Sequence, residues 1–169
     1  MRADFAESAT YRWLQKEVLE RRALDSADAL EHWKTTGQAE MSLTGERSRD
    51  GRSSVRLLFH TRTPQDAPPP GKRNYGAAGI LRQFPGEDWT RFNRVSFWVY
   101  PDFPGWRVSI LRVFLHNDGA VKVPGGFYPV YHCAVLKNHS WNQVVWEFPD
   151  VPRDKVTGIE IQCRRQGSE

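Results

Sequence analysis

Residues 94–100 read RVSFWVY, and residues 142–148 read NQVVWEF. In each run alternate positions are apolar: Val95, Phe97 and Val99 in the first, Val144, Trp146 and Phe148 in the second. A strand turns successive side chains to opposite faces, so each run has one face made for a core. The reading extends to QAEMSLT (38–44), SVRLLFH (54–60), VSILRVFLH (108–116), FYPVYHCAVL (127–136) and KVTGIEIQC (155–163). All are short, rich in Val, Ile and aromatics, and bounded by Gly, Pro, Asp or Asn, as strand ends are. Seven or eight such strands without helical repeats between them predict an all-β fold, an antiparallel β-sandwich, because a parallel sheet needs long crossovers.

Upstream the pattern is different. In YRWLQKEVLERR (11–22), Trp13, Leu14, Val18 and Leu19 recur at helical spacing behind a Ser8 or Thr10 cap, which predicts an N-terminal α-helix. The expected division is a helical lead-in at 1–23 and a sandwich domain at 24–169. Between strands, residues 61–79 (TRTPQDAPPPGKRNYGAAG) read as a long loop over one rim, stiffened by Pro68, Pro69 and Pro70.

The chain of 169 residues carries 24 Lys plus Arg against 20 Asp plus Glu, a formal charge of +4. Seven Trp and nine Phe oppose disorder, which comes with few aromatics. No apolar run approaches the roughly 18 residues of a membrane span, and the first 25 residues show no secretion signal. Arg and Lys at 47–56, 72–73 and 164–165 are diluted by acids or by Ser and Gly, so nucleic acid is not an expected partner. Cys133 and Cys163 lack C-x-x-C spacing and are expected as inward, buried thiols.

The faces opposite the apolar sets carry the functional expectation. Taking Leu111, Val113 and Leu115 as inward leaves Arg112, Phe114 and His116 outward, beside Trp98 and Tyr100, Gln143 and Glu147, and Glu160, Gln162 and Arg164. Aromatics mixed with Arg, His, Gln and Glu suit sugar recognition, since a ring stacks on a pyranose while polar groups meet its hydroxyls. Trp98 and Tyr100 are expected as the stacking platform. Arg112, His116, Gln143, Glu147, Glu160 and Arg164 are expected as its polar partners on one surface.

DWTRFNRVSFWVYPDFPG (88–105) and SWNQVVWEFPDVPRDKVTGIEIQ (140–162), with LDSADALEHW and SLTGERSRDGRSSVRL before them, resemble galactose-binding-like β-jelly-roll modules attached to polysaccharide-active enzymes. The resemblance covers residues 23–165. It implies a non-catalytic carbohydrate-binding module of a larger glycan-processing protein, working outside the cytoplasm beside an adjacent catalytic domain. Such modules usually close on an acidic final strand near a structural calcium. Asp25, Asp28 and Glu31 match the early half of that site, while the chain reaches CRRQGSE without the closing strand. A missing edge strand would favour dimerisation through the open edge.

Two other readings compete: a jelly roll used for protein interaction, and an enzyme. A glycosidase needs two carboxyls about 5–10 Å apart across a cleft, and Glu147 with Glu160 is the pair to test. A lyase would draw on His116, His132, Tyr128 and Tyr131, whose spacing is not diagnostic.

Overall fold

Alternating apolar positions demand a partner layer, and the structure supplies one. The computed structural model describes residues 20–37, 39–49, 52–59, 77–103, 109–119, 130–147 and 151–165. Nine strands form among them: β1 (Trp33–Thr36), β2 (Ala39–Thr44), β3 (Ser54–Phe59), β4 (Ala77–Glu87), β5 (Arg94–Val99), β6 (Ser109–Asn117), β7 (Val130–Leu136), β8 (Asn142–Glu147) and β9 (Val156–Arg165). A five-stranded sheet has the order β1-β4-β9-β6-β7, and two two-stranded pairs, β2-β3 and β5-β8, complete the architecture. Every pairing is antiparallel. The protein is an antiparallel β-sandwich.

The core lies between the five-stranded sheet and the β5-β8 pair. Val95 of β5 and Val144 and Trp146 of β8 meet Leu111, Val113 and Leu115 of β6 and Ile159 of β9 in one buried cluster with Trp89, Leu136 and Val156. Phe97, Val99, Ile161 and Cys163 pack on its margin. The inward parities of β5, β6, β8 and β9 therefore stand, with Phe148 outside the described residues. Because the inner faces share this core, the outer faces of the two layers point in opposite directions.

Two strands are absent from the sequence reading. β1 is only four residues long. β4 carries Pro85, Gly79 and Gly86 and a register irregularity between Gln83 and Glu87, features that mask a strand signal. Its first residues are the end of the expected loop, whose remainder lies outside the described residues, as do residues 1–19 of the expected helix. Residues 20–23 are irregular; there Arg22 Nη1 donates to Glu87 Oε2 at 2.6 Å and Glu20 pairs with Arg91.

Candidate functional site

Antiparallel register brings the outward residues of the five-stranded sheet side by side. On the β6-β9 ladder Arg112 is opposite Gln162, Phe114 opposite Glu160 and His116 opposite Gly158. On the β6-β7 ladder Phe114 is opposite Tyr131 and Arg112 opposite Cys133. Across the other edge, Gln162 is opposite Gly79 and Gly79 opposite Thr36.

Glu160 is the hub of this face. Its Oε1 accepts from Thr36 Oγ1 at 3.0 Å and from Gln162 Nε2 at 2.8 Å. Its Oε2 stands 3.3 Å from His116 Nε2. Beside the hub, the Tyr131 ring is 48% exposed. It tilts over Phe114 at 5.5 Å between centroids, which accounts for the burial of an outward phenylalanine. The Arg112 guanidinium lies 5.1 Å from the Tyr131 centroid, and its Nε is buried with no hydrogen-bond partner. At the rim Lys34 Nζ donates to Gln83 Oε1 at 2.9 Å.

The expected single surface is in fact two. Arg112, His116 and Glu160 lie together on the five-stranded sheet, whereas Trp98, Gln143 and Glu147 belong to the β5-β8 pair, with Tyr100 just beyond β5. The reason is topological: β8 pairs with β5 and not with β9. There Trp98 is opposite Gln143, and Glu147 lies 3.6 Å from Arg94. The Arg49 guanidinium sits over the Trp98 ring at 4.6 Å and that of Arg47 over the Tyr100 ring at 4.3 Å. Tyr100 also meets Trp141 edge-on. Arg164 pairs through its backbone with Ile110 and Ala77, and its side chain lies outside the described residues.

Other expectations are corrected by the same topology. Glu147 and Glu160 are on opposite layers and do not flank one cleft. His132 faces inward and stacks on Trp146 at 6.2 Å, away from His116 and Tyr131, so the lyase residue types do not assemble; Tyr128 is outside the described residues. Cys133 is exposed on the outer face, not buried, while Cys163 faces the core. β6 separates their strands, about two inter-strand spacings, which no disulfide spans.

The carboxylates of the expected calcium site have separate partners. Asp25 Oδ2 accepts from Trp33 Nε1 at 2.9 Å and from Arg82 Nη1, and its Oδ1 accepts from the Ala27 amide. Asp28 accepts from Ser53 Oγ and Glu31 pairs with His32. A guanidinium already neutralises Asp25, so these residues do not fit a hard cation that needs six or more oxygens. Among the described residues no three His, Cys, Asp or Glu side chains gather into a ligand set.

Sequence reasoning missed Thr36 as a site member and placed Tyr131 only among the lyase residue types, not on the sugar-binding face. Thr36 lies on the unread β1. Tyr131 was legible: with Leu136 inward, alternation along VYHCAVL turns Tyr131, Cys133 and Val135 outward.

No family model matches the chain, and no curated protein matches it. Solved structures do. A carbohydrate-binding module of the β-sandwich superfamily, studied for its promiscuous specificity, superposes with a TM-score of 0.51 at 14% identity, over 81% of this chain and 52% of that one. The family 11 carbohydrate-binding module of the cellulosomal cellulase Lic26A-Cel5E of Clostridium thermocellum superposes with a TM-score of 0.51 at 12% identity, over 90% of this chain and 97% of that one. The likeness shows a shared β-sandwich fold. A family 22 module of Clostridium thermocellum Xyn10B also matches, at 16% identity, over 82% of this chain and 85% of that one, but its TM-score of 0.43 carries no weight. The chain spans about half the length of the first of these structures. At such identities the likeness fixes the sandwich and leaves the ligand to the residues of the face itself.

Proposed function

We propose that the protein is a non-catalytic carbohydrate-binding module whose ligand face is the outer side of the five-stranded sheet. The observation that carries this reading is the Glu160 hub. A carboxylate held by Thr36 and Gln162, with His116 alongside, keeps its acceptors oriented before any ligand arrives, which lowers the cost of binding. Tyr131 offers the apolar ring face a pyranose stacks on. The Arg112 guanidinium, 5.1 Å from the Tyr131 centroid, adds charged donors beside that ring. From β1 to β7 the sheet crosses four inter-strand spacings, about 19 Å, room for a short run of sugar units.

In this reading the chain is an accessory module of a larger glycan-processing protein acting outside the cytoplasm, and it delivers a neighbouring catalytic domain to its polysaccharide. Affinity electrophoresis and calorimetry over a panel of β-glucans, xylans and mannans test it. Retardation by at least one neutral glycan, weakened about tenfold in Tyr131→Ala, is the expected result. No binding to any glycan, or equal binding by the variant, overturns it.

A further inference from the structure

We propose that the outer face of the β5-β8 pair is a second binding site, for an acidic polysaccharide whose carboxylates are read by Arg49 where it lies over Trp98. This face is turned away from the Glu160 hub, and the inference stands independently of it.

The connection between β2 and β3 supplies the charge. Residues 45–56 read GERSRDGRSSVR, with four Arg against Glu46 and Asp50, which leaves two net positive charges in twelve residues. Arg47 has a carboxylate, Asp102, at 3.2 Å. Arg49, Arg52 and Arg56 are exposed and have no ion-pair partner among the described residues. The two flanks of the connection are tied together, since Ser54 Oγ donates to the Arg47 carbonyl and Ser48 Oγ to the Ser53 carbonyl.

Stacking decides what such charge can do. A guanidinium laid on a ring keeps its edge donors free in a fixed plane, and that fork matches a carboxylate bidentately. Arg49 on the half-exposed Trp98 has this arrangement, with 4.6 Å between guanidinium carbon and ring centroid. Two acids nearby have basic partners of their own: Glu147 lies 3.6 Å from Arg94 and Asp102 3.2 Å from Arg47. Gln143, exposed opposite Trp98, and Ser96, exposed on the same strand face, add neutral hydrogen-bonding groups for sugar hydroxyls. Interspersed acids and a net charge of two suit a spaced row of carboxylates better than a nucleic acid, which carries a charge about every 1.7 Å.

Affinity electrophoresis with the full chain in polygalacturonate gels tests the site. Wild type is expected to be retarded, with retardation falling steeply as salt rises. Arg49→Gln should weaken binding about tenfold, as loss of a charged bidentate contact does. Arg49→Lys should recover only part of that loss, and Tyr131→Ala and Arg91→Gln should bind as wild type. Fully methyl-esterified pectin, the same backbone without charge, should not bind. Equal binding by Arg49→Gln and wild type, full rescue by Arg49→Lys, retention by the esterified polymer, or tighter binding of single-stranded DNA would each overturn the proposal. Loss of neutral-glycan binding in Tyr131→Ala with polygalacturonate binding intact separates this site from the five-stranded face.

Discussion

Glu160 and His116 face each other on adjacent strands, Oε2 to Nε2 at 3.3 Å, while the other Glu160 oxygen is held by Thr36 and Gln162. Both residues project from one sheet face because His116 and Glu160 sit diagonally across the β6-β9 ladder. Glu160→Gln keeps the shape and removes the charge. It should weaken glycan binding about tenfold, the loss expected for a charge-assisted hydrogen bond, with little change in melting temperature. Calorimetry beside a thermal scan checks both; unchanged affinity would take Glu160 out of the ligand contact.

How much of this was legible depended on burial. Strands β5, β8 and β9 alternate because each lies against the shared core, and their inward residues read directly; β6, with Ile110 and Phe114 apolar on its outward parity, alternates less cleanly. β4 is central in its sheet, yet Gly79, Pro85 and Gly86 hide it, since close strand approach and an irregular register are properties of the partners. Which outer faces coincide was not legible at all: parity assigns Trp98 and Glu160 each to an outer face, but only strand pairing says that these faces are different ones.

The two cysteines should react differently. Cys133 is exposed beside Arg112, whereas burial pushes the Cys163 thiol up to about 11. The thiolate is the reactive form, so an aromatic disulfide reagent near pH 8 should titrate one thiol per native chain. Cys133→Ser should abolish that fast phase, and the second thiol should appear only in denaturant. Two fast thiols in the native protein would contradict the inward placement of Cys163.

His132 gives the core a pH dependence. It lies inward opposite Val113 and against Trp146, and burial lowers its pKa from the ordinary value of 6.5. The unfolded chain then binds the proton more readily than the folded one. Stability on this account is full above about pH 6.5 and is lost as pH falls toward the depressed folded value. Denaturation midpoints of wild type and His132→Phe, compared from pH 8 to 5, should run parallel above that point and diverge below it, with the wild type falling faster. Parallel curves throughout would place His132 in water.

Gly79 couples the site to the fold. A Cβ there would lie 2.4 Å from the Ile161 carbonyl oxygen and 3.0 Å from both the Gln162 Cα and Thr36 Oγ1. The first two neighbours are backbone of β9 and cannot swing aside, so β1, β4 and β9 approach this closely only over a glycine. Thr36 uses that closeness to reach across β4 to Glu160. Gly79→Ala should therefore destabilise by about 3 kcal/mol, the upper end for overpacking, and should loosen the Glu160 hub even where the chain still folds. Gly158→Ala is the matched control, because its Cβ would meet the Arg82 carbonyl oxygen at 3.1 Å and the movable Leu81 Cδ1 at 3.2 Å. It should cost about 1 kcal/mol. Chemical denaturation of the two variants orders them, and equal losses would mean that the spacing between β4 and β9 is set elsewhere.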